Sequence, residues 1–330
     1  MKQSFYIYSA GRLERKDNTV HFVTTEGKGR YLPIETISDL YIMGEVDVNS
    51  RCLNFLGAAN VAVHFFNYYS FYTGSFYPRE KQVAGKLLVK QVEHYQEADK
   101  RLTLAKAFVK GAMDSMYRNL RYYNSRGKDV SSMMGEIKAM EGPLSRALTI
   151  QEVMGCEGMA RKSYYSAWNT IVDQEINFTK REKRPPTTMI NSLISYVNML
   201  IYTKALGEIY HTALNPTISY LHEPGERRFS LCLDITEIFK PLVGDRLIFR
   251  LLNKKQITQK SFTEGLNYLH LKPEASRLIA GELEESLKKT IMHKDLGRQV
   301  SYQYLMRLEC FKLTKHFIGE KNYEPFVIWW

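Results

Sequence analysis

The period of the sequence changes at Pro78, and that change decides what the chain can fold into. Before it, short runs rich in aromatic and β-branched residues alternate with turn signals: residues 5–8 ahead of Gly11, 20–24 ahead of Gly27 and Gly29, then 37–43, 61–66 and 71–77. They predict a small β domain, with a sandwich and a barrel both open, interrupted by one short helix near residues 49–59. After Pro78 the spacing is helical. Val83, Leu87, Leu88, Val92 and Tyr95 form one stripe; Leu102, Ala105, Phe108, Val109 and Met113 form another. Helices then continue to near residue 330, with breaks at Arg126-Gly127, 180–186, Asn215-Pro216 and 271–273. A chain of 330 residues exceeds the usual size of one core, so two domains are expected, residues 1–78 and 79–330.

Within the helical part, residues 221–246, LHEPGERRFSLCLDITEIFKPLVGDR, place His222 a short loop ahead of Asp234 and Glu237. Leu231, Leu233, Ile235, Ile238, Phe239 and Leu242 suit a helix with a broad apolar face, which sets the two acids one turn apart on one side. Like charges so placed repel by a few tenths of a kcal/mol in water, roughly, and by more as the site dries. A divalent cation reverses that sign. The competing reading is a helix start, with Asp234 as N-cap and Glu237 reaching back to its amide. A third acid, Glu157, lies between Gly155 and Gly158, with Arg161 and Lys162 one turn on. Two glycines in mid-helix predict close approach by another backbone, and the plain alternative for Glu157 is an ion pair to Arg161.

Charge limits what such a site serves. Lysine and arginine number 46 against 35 acidic residues, a formal charge of +11, which favours an anionic partner: nucleic acid first, an anionic membrane surface second. The basic side chains cluster at Arg161-Lys162, at Lys180, Arg181, Lys183 and Arg184, at Arg227-Arg228, and at Arg246 with Arg250. A charge run usually means a solvated face, but cations flanking a carboxylate-rich site also suit phosphodiester chemistry. No apolar run approaches the ~20 residues that span a bilayer, and Met1-Lys-Gln-Ser leads into a strand, so a cytoplasmic location is expected. Cys52, Cys156, Cys232 and Cys310 have no paired spacing; they read as buried thiols, with neither a zinc knuckle nor a disulfide framework.

Four segments carry a family resemblance: RPPTTMINSLISYVNMLIYTKAL from Arg184, NPTISYLHEPGERRFSLCLDITEIFKPLVGDRL from Asn215, GCEGMARKSYY, and NYEPFVIWW. Together they resemble the CRISPR-associated adaptation integrases, the first-numbered family of those proteins, over nearly the whole chain in order. The resemblance implies an α+β protein with a sandwich-like N-terminal domain used for dimerisation and an all-α C-terminal domain carrying a metal site. It implies Mg²⁺ or Mn²⁺ held by Glu157, His222 and Glu237, with Asp234 as a nearby acidic position and Asn191 as a supporting residue. It further implies a homodimer, a small CRISPR-associated adaptation partner, and insertion of short foreign DNA into a CRISPR array by attack of a DNA 3′-hydroxyl. Arg161, Lys162, Arg181, Arg184, Arg227, Arg228, Arg246 and Arg250 are the expected DNA contacts. The sequence departs from the family pattern at Ala213, Ser219 and Lys240, none of which removes an expected ligand. A different class of reading is a non-catalytic nucleic-acid scaffold with a structural ion cluster.

Overall fold

Eight strands and one helix form among the described residues of the first part of the chain: β1 (Gln3–Ile7), β2 (Gly11–Lys16), β3 (Thr19–Thr24), β4 (Gly29–Pro33), β5 (Ile37–Ile42), β6 (Val46–Val48), α1 (Ser50–Ala58), β7 (Ala62–Phe66) and β8 (Tyr72–Phe76). The computed structural model describes residues 2–78, 84–182, 186–226, 228–264 and 269–328. It divides into two units, Met1–Val83 and Ala84–Trp330.

In the first unit the strands make two four-stranded sheets, in the orders β1-β5-β7-β8 and β4-β3-β2-β6. Ile7, Leu40, Ile42 and Val63 from one sheet and Leu13, Val20, Phe22 and Leu32 from the other share a single core, so the layers face each other as a sandwich with open edges. α1 closes that core with Cys52 and Leu56, and the Asn49 side chain caps it by accepting from the Cys52 amide at 2.9 Å. Strand β2, GRLERK, buries only Leu13 between charged neighbours.

The second unit is helical: α2 (Gly85–Gln96), α3 (Ala98–Asn124), α4 (Ser131–Ala139), α5 (Glu141–Arg146), α6 (Ile150–Ser166), α7 (Trp168–Ile171), α8 (Met189–Tyr210), α9 (Ser230–Phe239), α10 (Arg246–Asn253), α11 (Pro273–Lys288) and α12 (Tyr302–Phe317). Two small hairpins, β9 (Phe262–Glu264) with β10 (Leu269–Leu271) and β11 (Thr290–His293) with β12 (Arg298–Ser301), add strands to a part expected to be all helix. α3 is the axis. It buries Leu104, Phe108, Met116 and Leu120 against its neighbours, each contributing roughly 1.5–3 kcal/mol of apolar burial. α9 runs into α10 through one wide π-type turn, Lys240–Asp245. Pro241 is the local cause: in an ordinary helix its ring would press on the carbonyl four residues back, that of Glu237.

All four cysteines are buried and unpaired. Among the described residues no helix is long and apolar enough to cross a membrane. The chain end folds back, with Tyr323, Phe326 and Ile328 buried and the Tyr323 ring 5.2 Å from that of Phe108; Trp329 and Trp330 lie outside the described residues. Gly111 on α3 permits this, since a Cβ there would stand 2.7 Å from Pro325 Cβ and 3.1 Å from Ile238 Cγ1. Gly111→Ala is therefore expected to destabilise the protein by about 1–3 kcal/mol. Gly135→Ala on α4, where a Cβ meets nothing within 4 Å, is expected to stabilise it by roughly 0.5–1 kcal/mol. Urea unfolding of the two variants beside the parent checks the opposite signs.

Candidate functional site

Three segments packed around α3 bring the acidic residues and the histidine together: α6 supplies Glu157 and Arg161, α9 supplies Asp234 and Glu237, and the loop between α8 and α9 supplies His222. α6 begins at a Thr149 cap, whose hydroxyl accepts from the Glu152 amide at 3.2 Å. α9 has no side-chain cap and starts at Ser230, so Asp234 lies inside it; the capping alternative is thereby excluded.

Asp234 is fully buried and accepts four hydrogen bonds. Its Oδ2 takes the amides of Tyr220 at 2.6 Å and Leu221 at 3.1 Å; its Oδ1 takes the amide of His222 at 3.0 Å and His222 Nδ1 at 2.9 Å. A carboxylate only accepts, so Nδ1 carries the proton, and in the neutral ring Nε2 keeps its lone pair. The loop is tied down again by Glu223, which accepts from the Tyr95 hydroxyl and from Arg101 Nη2, each at 2.6 Å.

Glu157 and Glu237 meet on one guanidinium. Arg161 Nε donates to Glu157 Oε1 at 2.5 Å and its Nη2 donates to Glu237 Oε2, while Lys240 Nζ reaches Glu237 Oε1 at 2.5 Å. The ion pair that spacing offered for Glu157 is thus present, but shared and largely dry, with Arg161 15% and Glu237 6% exposed. Burial works to raise the Glu237 carboxyl; Lys240, Arg161 and His222 outweigh it and hold it down at about 2.

The π-type turn adds Asp245, 2% exposed, whose Oδ2 has no hydrogen-bond partner among the described residues. Burial pushes this carboxyl up to about 7, with Arg161, the Tyr164 hydroxyl and Lys240 pulling the other way. Asn119 of α3 knits the same turn to α6, donating from Nδ2 to Pro241 O at 2.7 Å and to the Tyr164 hydroxyl at 3.0 Å. Asp245, Asn119 and Tyr164 have no place in the sequence reading. The one available signal was Pro241 inside a helical run.

The other expected residues fall into four groups. Asn191, 2% exposed, fastens the loop ahead of α8: its Oδ1 accepts from the Glu182 amide and Arg181 Nη1, both at 3.0 Å, and its Nδ2 donates to Lys180 O at 3.1 Å. Arg181 is therefore spent inside the fold, with Ser195 Oγ 2.7 Å from its Nη2. Arg246 Nε donates to Asn119 Oδ1 at 2.6 Å, and Arg250 pairs with Glu282 at 2.8 Å. Lys162 and Arg228 are exposed, the latter donating to Glu223 O at 2.5 Å; Arg184 and Arg227 lie outside the described residues. Gly155 and Gly158 correct the expectation of crowding: a Cβ at either meets nothing within 4 Å, because both occupy the open side of α6.

For a divalent cation the donor chemistry fits: a histidine nitrogen with its ring fixed by a buried carboxylate, and two carboxylates that already share a positive charge. The arrangement is not preformed. Among the described residues no three His, Cys, Asp or Glu side chains stand close enough to hold a metal ion, since Arg161 and Lys240 take the carboxylate oxygens.

The chain belongs to the family of CRISPR associated protein Cas1, whose model matches residues 5–285. It is 57% identical to the CRISPR-associated endonuclease Cas1 of Fusobacterium nucleatum subsp. nucleatum over 330 residues, all of this chain and 98% of that one. A CAS1 protein from Thermotoga maritima superposes with a TM-score of 0.86 at 39% identity, covering 98% of this chain and 100% of the other. A casposase bound to integration product shares the fold, with a TM-score of 0.85 at 20% identity over 98% of this chain and 93% of that one.

Two outcomes are expected from this geometry. Because the raised Asp245 carboxyl keeps its proton in the folded state while the unfolded chain releases it, the contribution of this one group to stability is full below about pH 4 and is lost as pH rises through about 7, a change of at most ~4 kcal/mol. Asp245→Asn should remove this contribution, leaving the variant more stable than the parent at pH 8, as read from urea melts at pH 5 and pH 8; parallel pH slopes would refute it. Asp234→Asn should free the His222 ring and weaken Mn²⁺ binding by about 10–100-fold, measured by electron paramagnetic resonance.

Proposed function

We propose that this protein is a divalent-metal-dependent DNA endonuclease and integrase of CRISPR adaptation, which inserts short foreign DNA into a CRISPR array. The observation that carries the reading is His222, its Nδ1 bound to Asp234 of the helix that also carries Glu237, together with a Glu157–Glu237 pair sharing one guanidinium. Membership of a family whose relatives are endonucleases supports it, and so does the common fold with a casposase that holds an integration product.

In this reading Glu157, His222 and Glu237 hold the Mg²⁺ or Mn²⁺, which supplies Lewis-acid polarisation of the scissile phosphate. Asp234 keeps the His222 ring in one tautomer and orientation. Arg161 and Lys240, displaced from the carboxylates, remain as cations at the reacting phosphate, where negative charge grows. The oxygen of a DNA 3′-hydroxyl bonds to phosphorus as the bond from phosphorus to the departing 3′-oxygen breaks; the attacking hydroxyl's proton passes to solvent, and solvent returns one to the departing oxygen. With water as the attacking group the same exchange is strand cleavage. Lys162 and Arg228 hold the DNA backbone from the exposed rim, with Arg246 and Arg250 further along; Asn191 and Arg181 keep the loop before α8 in place. The first unit forms the homodimer, an assignment supported by Tyr68, Tyr69 and Phe71 exposed at the β7–β8 turn, and the small CRISPR-associated adaptation partner joins two such dimers.

The ion pairs among Glu157, Arg161, Glu237 and Lys240 favour a second reading, a nucleic-acid scaffold with a self-neutralised ion cluster. One experiment separates them. The purified protein should cut and join branched DNA with Mn²⁺ or Mg²⁺ and not with EDTA, and Glu157→Ala or His222→Ala should lower that activity by at least about a hundredfold. Full activity in either variant would sink the nuclease reading, whereas DNA binding with no metal-dependent product would leave the scaffold.

A further inference from the structure

The last turns of α3 and the length of α10 enclose a cavity of ≈ 770 Å³, within the range of about 300–1,000 Å³ typical of ligand sites. Arg118, Arg121, Arg246, Arg250 and Lys254 line it, and among the described residues no carboxylate does. Glu282 pairs with Arg250, but among the described residues no ion pair holds Arg118, Arg121 or Lys254. Like charges 8 Å apart repel by roughly 0.5–2 kcal/mol per pair, depending on how wet the space between them is. Arginines of a merely solvated face spread outward and relax that repulsion. These converge instead on a pocket that also contains an aromatic ring, Tyr122, which is 50% exposed.

The ring is held for use. Tyr122 stands edge-on to Tyr123 at 5.2 Å, Tyr123 stands edge-on to the buried Phe249 at 5.3 Å, and the Arg126 guanidinium lies over the Tyr122 ring at 5.0 Å. A fixed, half-exposed aromatic ring beside a group of cations matches a ligand with two parts: a flat ring system and a multiply charged anion. Asn119, which also lines the cavity, joins Arg246 to the Tyr164 hydroxyl and the Pro241 carbonyl.

We propose that this cavity binds a nucleoside phosphate, its phosphates on Arg118, Arg121 and Lys254 and its base against Tyr122. The source is a free nucleotide or the end of a single DNA strand, which present the same chemistry. The site is separate from Glu157, His222 and Glu237 and requires no metal, so it stands whether or not the nuclease reading does.

The test is calorimetric titration of the full chain with dTTP in EDTA at low salt. Saturable binding below about 1 mM is expected, weakened at least about tenfold in Arg121→Glu and by about 5–100-fold in Tyr122→Ala, with melting temperatures unchanged. Tyr122→Ala, at a half-exposed position, keeps the test valid if the charge reversal disturbs folding. Glu157→Ala should bind dTTP as the parent does; loss of binding there would place the ligand at the acidic cluster and overturn the proposal. Absence of saturable binding overturns it too. So does inorganic triphosphate binding as tightly as dTTP with Tyr122→Ala silent, which would leave an anion surface only. Displacement of dTTP by a short single-stranded oligonucleotide assigns the site to a strand end, and failure to displace assigns it to free nucleotide; both support the site.

Discussion

The helical unit depends on one buried anion. A carboxylate taken out of water costs several kcal/mol, roughly, unless it is saturated with donors, and Asp234 is saturated by three consecutive backbone amides and an imidazole. Because those amides belong to Tyr220, Leu221 and His222, satisfying the charge and shaping the loop are one event. The His222 ring then has no choice of tautomer, and its free nitrogen points away from Asp234. A neutral isostere could occupy the same volume, but it could not accept all four bonds.

Around that fixed point the charges are arranged in pairs that could each be satisfied differently. Glu157 and Glu237 share Arg161, Glu237 also has Lys240, and Asp245 is buried with one oxygen that no donor reaches among the described residues. Buried ion pairs of this kind gain little over apolar packing but lose heavily when one partner is removed. Removing any single member therefore leaves an opposite charge without its partner. The wide turn at 240–245 sets this arrangement, since it brings Lys240 and Asp245 to the same network from opposite ends.

The sequence made some of this legible and hid the rest for physical reasons. The change of period at Pro78 was readable because Ile37–Ile42 and Ala62–Phe66 are buried strands with little polar interruption. β2 and β6 were not, because GRLERK hides only Leu13 and VDV has no fully buried residue. The one-turn spacing of Asp234 and Glu237 put both on one helix face, yet nothing local separates a cap from a buried anchor: the amides that decide it lie 12–14 residues away. Gly155 and Gly158 misled because a missing Cβ says that space is available, not that a neighbour fills it. Asn119 and Asp245 gave no signal of their own, since the Tyr164 hydroxyl, the Pro241 carbonyl and Arg161, the partners that make them matter, lie far from them in sequence or in another element.

The returning segment at 323–328 has a consequence for how the molecule comes into being. Glu309 is buried beside Lys312 and has its remaining needs met by the Tyr323 hydroxyl at 2.8 Å and the Phe326 amide at 3.3 Å, while Pro325 fills the notch left by Gly111. The middle of α3 thus waits for residues synthesised more than two hundred positions later, and contacts of such sequence separation are slow to form. On the ribosome, the notch of Gly111 beside Ile238, one residue past Glu237, is filled only when residues 323–328 emerge. The chain thus has its acidic residues early and part of their frame late, a delay written into the order of the sequence between making the parts of the cluster and bracing them.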